Sequence, residues 1–264
     1  MAHFFGQAEP VLGHEKLARY STLAGEQALA VYALEEAENH FQRALDARQV
    51  SLSGLKPATD PETAELLFGL GRAQVGVFPL YRVREAIATL SRAFNYYADV
   101  QDVEGALAVV GYPIIAIGTG RRTERTKMLE RAMTLIPPDS KQEGRLLSEY
   151  GLVLGLQGGD DDGAQGAFNR AWAIARREGD APLEMRTLIH AARLDQQQNR
   201  MRECLEKCLR AIDLAPRAND LAAEAAAHQM AANCLVLSGN PEAARYHASA
   251  AMLPAQKWGT AFRP

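Results

Sequence analysis

The feature that most constrains this chain is a recurrence of small residues at helical spacing, arranged in paired blocks along its length. Leu188, Ala191 and Ala192 fall on one helical face. After a turn at Asn199, Cys204, Cys208, Ala211 and Ile212 form a second apolar face, and Pro216 follows as the expected end of the block. The next block repeats the register. His228, Ala231, Ala232 and Leu235 line one helix, Gly239-Asn240-Pro241-Glu242 makes a turn, and Ala244, Ala248, Ala251 and Met252 line the second helix before Pro254. Gly239 suits the positive φ of a helix end, and Pro241 a first turn where no amide partner is needed.

The pattern extends upstream. Leu147, Tyr150, Gly151 and Leu154 pair with Ala164, Phe168, Ala171 and Trp172. Leu67, Leu70 and Gly71 pair with Ala86, Leu90, Ala93 and Phe94, with three extra residues between the helices. Ala24, Gly25 and Ala28 pair with Ala37, Phe41, Ala44 and Leu45. In the weakest block Leu107, Val110 and Gly111 lead to Leu129, Ala132, Met133 and Leu135, and Pro113 is expected to kink or shorten the first helix. The spacings resemble the tetratricopeptide repeat of about 34 residues, whose small residues sit where paired helices approach. The expected fold is all-α, a right-handed α-solenoid of about six antiparallel helix pairs in one domain over 1–264, with repeats near 15–48, 62–98, 103–137, 142–178, 183–216 and 221–254. One such pair buries too little apolar surface to offset its ordering entropy, so stability has to come from stacking against neighbours.

Composition agrees with a folded chain: 47% of residues are hydrophobic, 23% are charged, and the formal net charge of -3 gives no general attraction to nucleic acid or anionic membrane. The longest apolar stretch, 106–120, is shorter than the roughly 20 residues that cross a bilayer, and Pro113 interrupts it. Three cysteines are too few for a disulfide framework, and the start of the chain lacks the basic and apolar regions of a signal peptide, so a cytoplasmic setting is expected. Stretches 50–61 and 158–163 read as exposed loops.

Two segments carry a narrower resemblance: Ala8-Glu9-Pro10 through EKLARYSTLAGEQALAVYALEEAENHFQRAL, and AELLFGLGRAQ followed by EAIATLSRAFNYY. They resemble the helical arm of large bacterial signalling ATPases of the MalT-like, STAND class, many of which end in a LuxR-type helix-turn-helix. This chain has neither the G-x-x-x-x-G-K-[ST] phosphate loop nor a separate helix-turn-helix, so the resemblance implies only the sensor or oligomerisation arm. Met1 to Gln7 reads like the tail of a preceding helix.

In a tetratricopeptide stack the first helix of each pair lines a groove, with exposed positions at i, i+3, i+7, i+10 and i+11. Those positions hold Arg186, Ile189, Arg193, Gln196 and Gln197 in the fifth pair, Arg145 and Ser148 in the fourth, Gln229 and Asn233 in the sixth, and Phe68 and Arg72 in the second. Arginine holds a carboxylate through two parallel hydrogen bonds and amides pair with an extended backbone, so a protein or peptide partner with acidic groups is expected. Neither direct nucleic-acid contact nor membrane contact is expected.

Other groups read as structural. Cys204, Cys208 and Cys234 occupy packing positions rather than metal-ligand spacing. Asp160, Asp161 and Asp162 lack the alternating ligands of a calcium loop. Gly118-Thr119-Gly120-Arg121-Arg122 resembles a phosphate cradle, but no strand precedes it. Val77-Phe78-Pro79-Leu80-Tyr81 is expected to pack over a neighbouring pair or to protrude as a contact loop. The six histidines form no catalytic or metal-binding spacing, so no cofactor, metal or catalytic residue is expected. Two rivals to a peptide-binding scaffold are a small-molecule sensor, which a pocket closed on several sides would favour, and a self-associating homo-oligomer.

Overall fold

Short polar side chains set helix starts along the chain. Asp60 accepts from the backbone N–H of Thr63 at 2.9 Å, Asp102 from Gly105 at 2.9 Å, Ser140 from Glu143 at 3.2 Å, Asp160 from Gly163 at 2.9 Å, Asp180 from Leu183 at 2.9 Å and Asp220 from Ala223 at 3.1 Å. Each satisfies a donor that the first helical turn leaves without an intrahelical partner. Helix ends are turned by left-handed residues, among them Gly159, Gly179, Asn219 and Gly239.

The structure, a computed structural model, describes residues 14–54, 56–114 and 123–261. Among these residues lie twelve α-helices and no strand. In order they are α1 (His14–Ala30), α2 (Leu34–Ala47), α3 (Pro61–Val77), a 3-10 turn (Leu80–Arg82), α4 (Val83–Asp99), α5 (Val103–Val110) and α6 (Glu124–Thr134), followed by α7 (Lys141–Gly158), α8 (Asp161–Glu178), α9 (Ala181–Gln197), α10 (Met201–Ala218), α11 (Leu221–Leu237) and α12 (Pro241–Ala261). Helices pair as expected in α1–α2, α3–α4, α7–α8, α9–α10 and α11–α12, whereas α5 and α6 each pack more on α4 than on one another, and the all-α, solenoid-type fold of stacked helix pairs stands. The chain forms two compact units, one holding α1–α6 and the other α7–α12.

In the first unit Phe41 of α2 is fully buried against two glycines. A Cβ on Gly25 of α1 would come within 2.8 Å of the Phe41 ring, and one on Gly69 of α3 would run into the same ring. The small residues at these positions are what lets three helices share one aromatic side chain. Leu90 of α4 packs in the same way over Gly71. Helix α5 is only eight residues long and ends at Val110, before Pro113, as its sequence implies.

The second unit repeats the device: Phe168 of α8 lies over Gly151 of α7, where an added Cβ would meet it at 2.8 Å. Its core continues through three helices. Met185 and Leu188 of α9, Ala211 and Ala215 of α10, and Ala223 and Ala227 of α11 form one buried cluster, and Cys204, Cys208, Ala231 and Cys234 belong to another. All three cysteines are buried and form no disulfide, consistent with packing.

The prolines correct the reading of helix ends. Pro216 lies inside α10, which continues to Ala218 and stops at left-handed Asn219. Likewise α12 extends to Ala261, beyond Pro254. A proline in the final turn forfeits a single ladder bond, and Pro216 is solvent-exposed, so the helix tolerates it until a residue with positive φ ends it. The turn before α12 matches expectation, with Gly239 at φ 77° and Asn240 accepting from the Ala243 N–H at 3.2 Å. The segments Met1–Gln7 and Gly118–Arg122 lie outside the described residues.

Candidate functional site

Contacts run between α7 and α9 and between α9 and α11, so the first helices of the second unit lie side by side. Arg145, Arg193, Gln197, Gln229 and Asn233 are exposed on them, and Gln196 is half-buried. Arg186 is exposed too, but its Nε donates to Asp220 Oδ2 at 2.6 Å, so it supports the carboxylate that caps α11. Two predicted residues are interior. Ser148 is buried with its hydroxyl 3.0 Å from His190 Nδ1, and Ile189 belongs to the core cluster around Met185 and Leu188. The i+3 positions of α7 and α9 therefore turn inward. Burial pushes the His190 imidazole below its ordinary range, with Arg186 and Arg193 adding to the shift and Glu149 opposing it.

In the first unit Phe68 and Arg72 are tied down. The Phe68 ring meets Tyr112 edge-on at 6.3 Å, the Arg72 guanidinium lies 4.8 Å above the Phe68 ring, and Arg72 is ion-paired with Glu26 of α1. These contacts knit α1, α3 and the segment after α5 together.

A different part of the first unit forms a pocket of about 370 Å³, which sequence reasoning did not identify. Glu38 and Gln42 of α2, Gln74 of α3 and Arg82, Glu85, Thr89 and Arg92 from the 3-10 turn and α4 line it, with Phe78, Ala88, Leu52 and Gly54. The loop between α2 and α3 is fastened over α4 by Arg92, whose Nε donates to the Lys56 carbonyl at 2.7 Å and whose own carbonyl accepts from the Ala58 N–H at 3.3 Å. Arg48 anchors the end of that loop through Asp60 at 2.9 Å and Glu62 at 2.5 Å.

Charge within the pocket is unevenly compensated. Arg82 stacks 3.9 Å over the Phe78 ring and pairs with Glu85 at 2.8 Å, so these two charges answer each other. Arg92 is only 5% exposed and has no carboxylate partner among the described residues; burial holds its pKa below the usual guanidinium value. Gln74 is 7% exposed, and its Oε1 has no hydrogen-bond partner. Burial pushes the Glu38 carboxyl above its ordinary value, opposed by Arg82 and the Gln74 side chain, while Gln42 Nε2 donates to Glu38 Oε1 at 3.1 Å. Phe78 faces this pocket inside its own unit, and Tyr81 is exposed.

The stretch 158–163, expected as a loop, is helical except at Gly159 and Asp160: Asp160 caps α8 by accepting from the Gly163 N–H, which starts the helix at Asp161 and puts Asp161 and Asp162 in its first turn. Among the described residues no group of three or more His, Cys, Asp or Glu side chains could hold a metal ion, and no helix is long and apolar enough to cross a membrane. The thiols form one cluster: Cys234 Sγ lies 3.1 Å from Cys204 Sγ, and burial first, then hydrogen bonding to Cys204, pushes the Cys234 thiol up to about 12.

No family model matches this chain, and no curated protein does. Among solved structures, a thermophilic TPR protein of Thermus thermophilus aligns over 83% of this chain and 99% of its own, at 18% identity and a TM-score of 0.43.

Proposed function

We propose that this chain is a recognition scaffold for a protein or peptide with acidic groups, and that it catalyses no reaction. The observation that carries the reading is the exposed polar face of α7, α9 and α11. There Arg145 and Arg193 have no ion-pair or hydrogen-bond partner among the described residues, and the amides of Gln197, Gln229 and Asn233 accompany them. Rigid helices present these groups without further ordering, which lowers the entropic cost of capture. The sequence resemblance to the helical arm of MalT-like signalling ATPases supports placing the scaffold in bacterial signalling and transcription regulation. The test is fluorescence anisotropy with labelled acidic peptides against the full chain. Reversing Arg145 and Arg193 to glutamate is expected to weaken capture at least about tenfold, the size of one lost charge-assisted bond. Unchanged affinity would remove this face as the binding surface.

A second reading, small-molecule sensing, is favoured by the half-enclosed pocket of the first unit.

A further inference from the structure

Arg92 is a buried charge with an unfinished set of partners. A guanidinium has five N–H donors, and the bond to Lys56 uses one of them. That bond explains why the loop is held down. It leaves the positive charge without a counter-ion, in a position where buried charges are ordinarily paired. Arg92 lines the cavity together with the half-buried carboxylate of Glu38.

We propose that this pocket binds a small zwitterion of amino-acid or dipeptide size, its carboxylate on Arg92 and its ammonium on Glu38. The arrangement selects against simpler ions. A plain anion satisfies Arg92 but meets Glu38, and a plain cation satisfies Glu38 but meets Arg92, with Arg82 already matched by Glu85. A molecule carrying both charges answers Arg92 and Glu38 together. The volume of about 370 Å³ lies at the small end of the roughly 300–1,000 Å³ typical of small-molecule sites. Phe78, Leu52 and Ala88 supply apolar wall for a side chain. This site goes beyond the peptide-binding reading and does not depend on it, because its residues belong to other helices than Arg145 and Arg193.

The test is isothermal titration calorimetry of the full chain against the free amino acids and a dipeptide panel. The expected result is saturable binding of at least one zwitterion at millimolar concentration or below. Its carboxamide and its deaminated hydroxy acid are expected to bind at least about tenfold more weakly, since each removes a charge-assisted bond. Arg92→Lys and Glu38→Gln are expected to produce losses of the same order, whereas Arg202→Ala, on the exposed surface of α10, leaves binding unchanged. Should Arg92→Lys fail to fold by circular dichroism, the ligand analogues on the unaltered chain decide the matter. Whether amino acids or dipeptides bind more tightly identifies the source of the zwitterion. The proposal is overturned if no panel member binds, if acetate or phosphate competes as well as the zwitterion, or if both variants bind as tightly as the unaltered chain.

Discussion

His228 and His247 share a buried contact, with Nδ1 atoms 3.0 Å apart and ring centroids 5.2 Å apart. One ring must donate and the other accept, which requires at least one neutral imidazole. Burial pushes both below the ordinary value of 6.5; for His228 the neighbouring His247 adds to the shift and Glu224 opposes it. A depressed folded-state pKa means that the unfolded chain takes up the proton first as pH falls. Stability is therefore complete above the unfolded value and is lost as pH drops through it toward the folded one. The urea midpoint is expected to fall as pH drops below about 6.5, the unfolded histidine value, toward the lower folded-state value. His247→Asn, which keeps a polar atom near the Nδ1 position, is expected to flatten that dependence. A residual slope is expected from His190 and His40, which burial also pushes down. An undiminished slope in the variant would show that the pair is not responsible. At this scale the sequence was partly legible. Helical spacing located exposed Arg145 and Arg193, because their positions point away from any neighbour. It missed buried Ser148 and Ile189, because neighbouring first helices cover the i+3 positions. Arg92 was illegible for another reason: it lies off the main apolar face of α4, and its burial comes from a loop that folds across from a distant part of the chain.

Elements were easier to read than individual contacts. Small residues, aspartates and glycines act locally, so their signals lie beside the helices they shape, as at Asp60 before α3 and Gly239 before α12. Prolines misled because their effect depends on position within a turn, and Pro216 sits where only one backbone bond is forfeited. The close approach of α1, α2 and α3 around Phe41 gives a direct test of the small-residue argument. At Gly69 even one methyl group overlaps the tip of the Phe41 ring, and Gly25 of α1 lies against the same ring atoms, so the ring has little room to yield. Gly69→Val is expected to destabilise the first unit by roughly 1–3 kcal/mol or more through overpacking. The double variant with Phe41→Leu is expected to recover part of that loss, because residues in contact do not behave additively. Purely additive losses would mean that the ring and the glycine do not constrain each other. Thermal melts followed by circular dichroism measure both.

On the scale of the molecule, stacked pairs should communicate stability mainly to their immediate neighbours. In the second unit Ala211, Ala215, Cys204 and Cys208 of α10 lie in clusters completed by Ala223, Ala227, Ala231 and Cys234 of α11. Met185 and Leu188 of α9 belong to the first of these, so removing α11 and α12 strips one side from α9 and α10 together. The pair α7–α8 meets α9 through a separate cluster of Leu152, Leu154, Phe168, Ala191 and Leu194, which contains no residue of α11 or α12. A chain truncated after Asn219 is therefore expected to show a graded loss of amide protection in hydrogen exchange. Protection should fall most in α10, strongly in α9, and least in α7 and α8, because each coupling passes through one intervening layer. Equal loss in all four helices would instead identify one indivisible cooperative unit. That gradient bears on function as well. If local stability follows the stack, a partner bound across α7, α9 and α11 should raise protection in all three helices, whereas a zwitterion held by α2, α3 and α4 should protect those helices first.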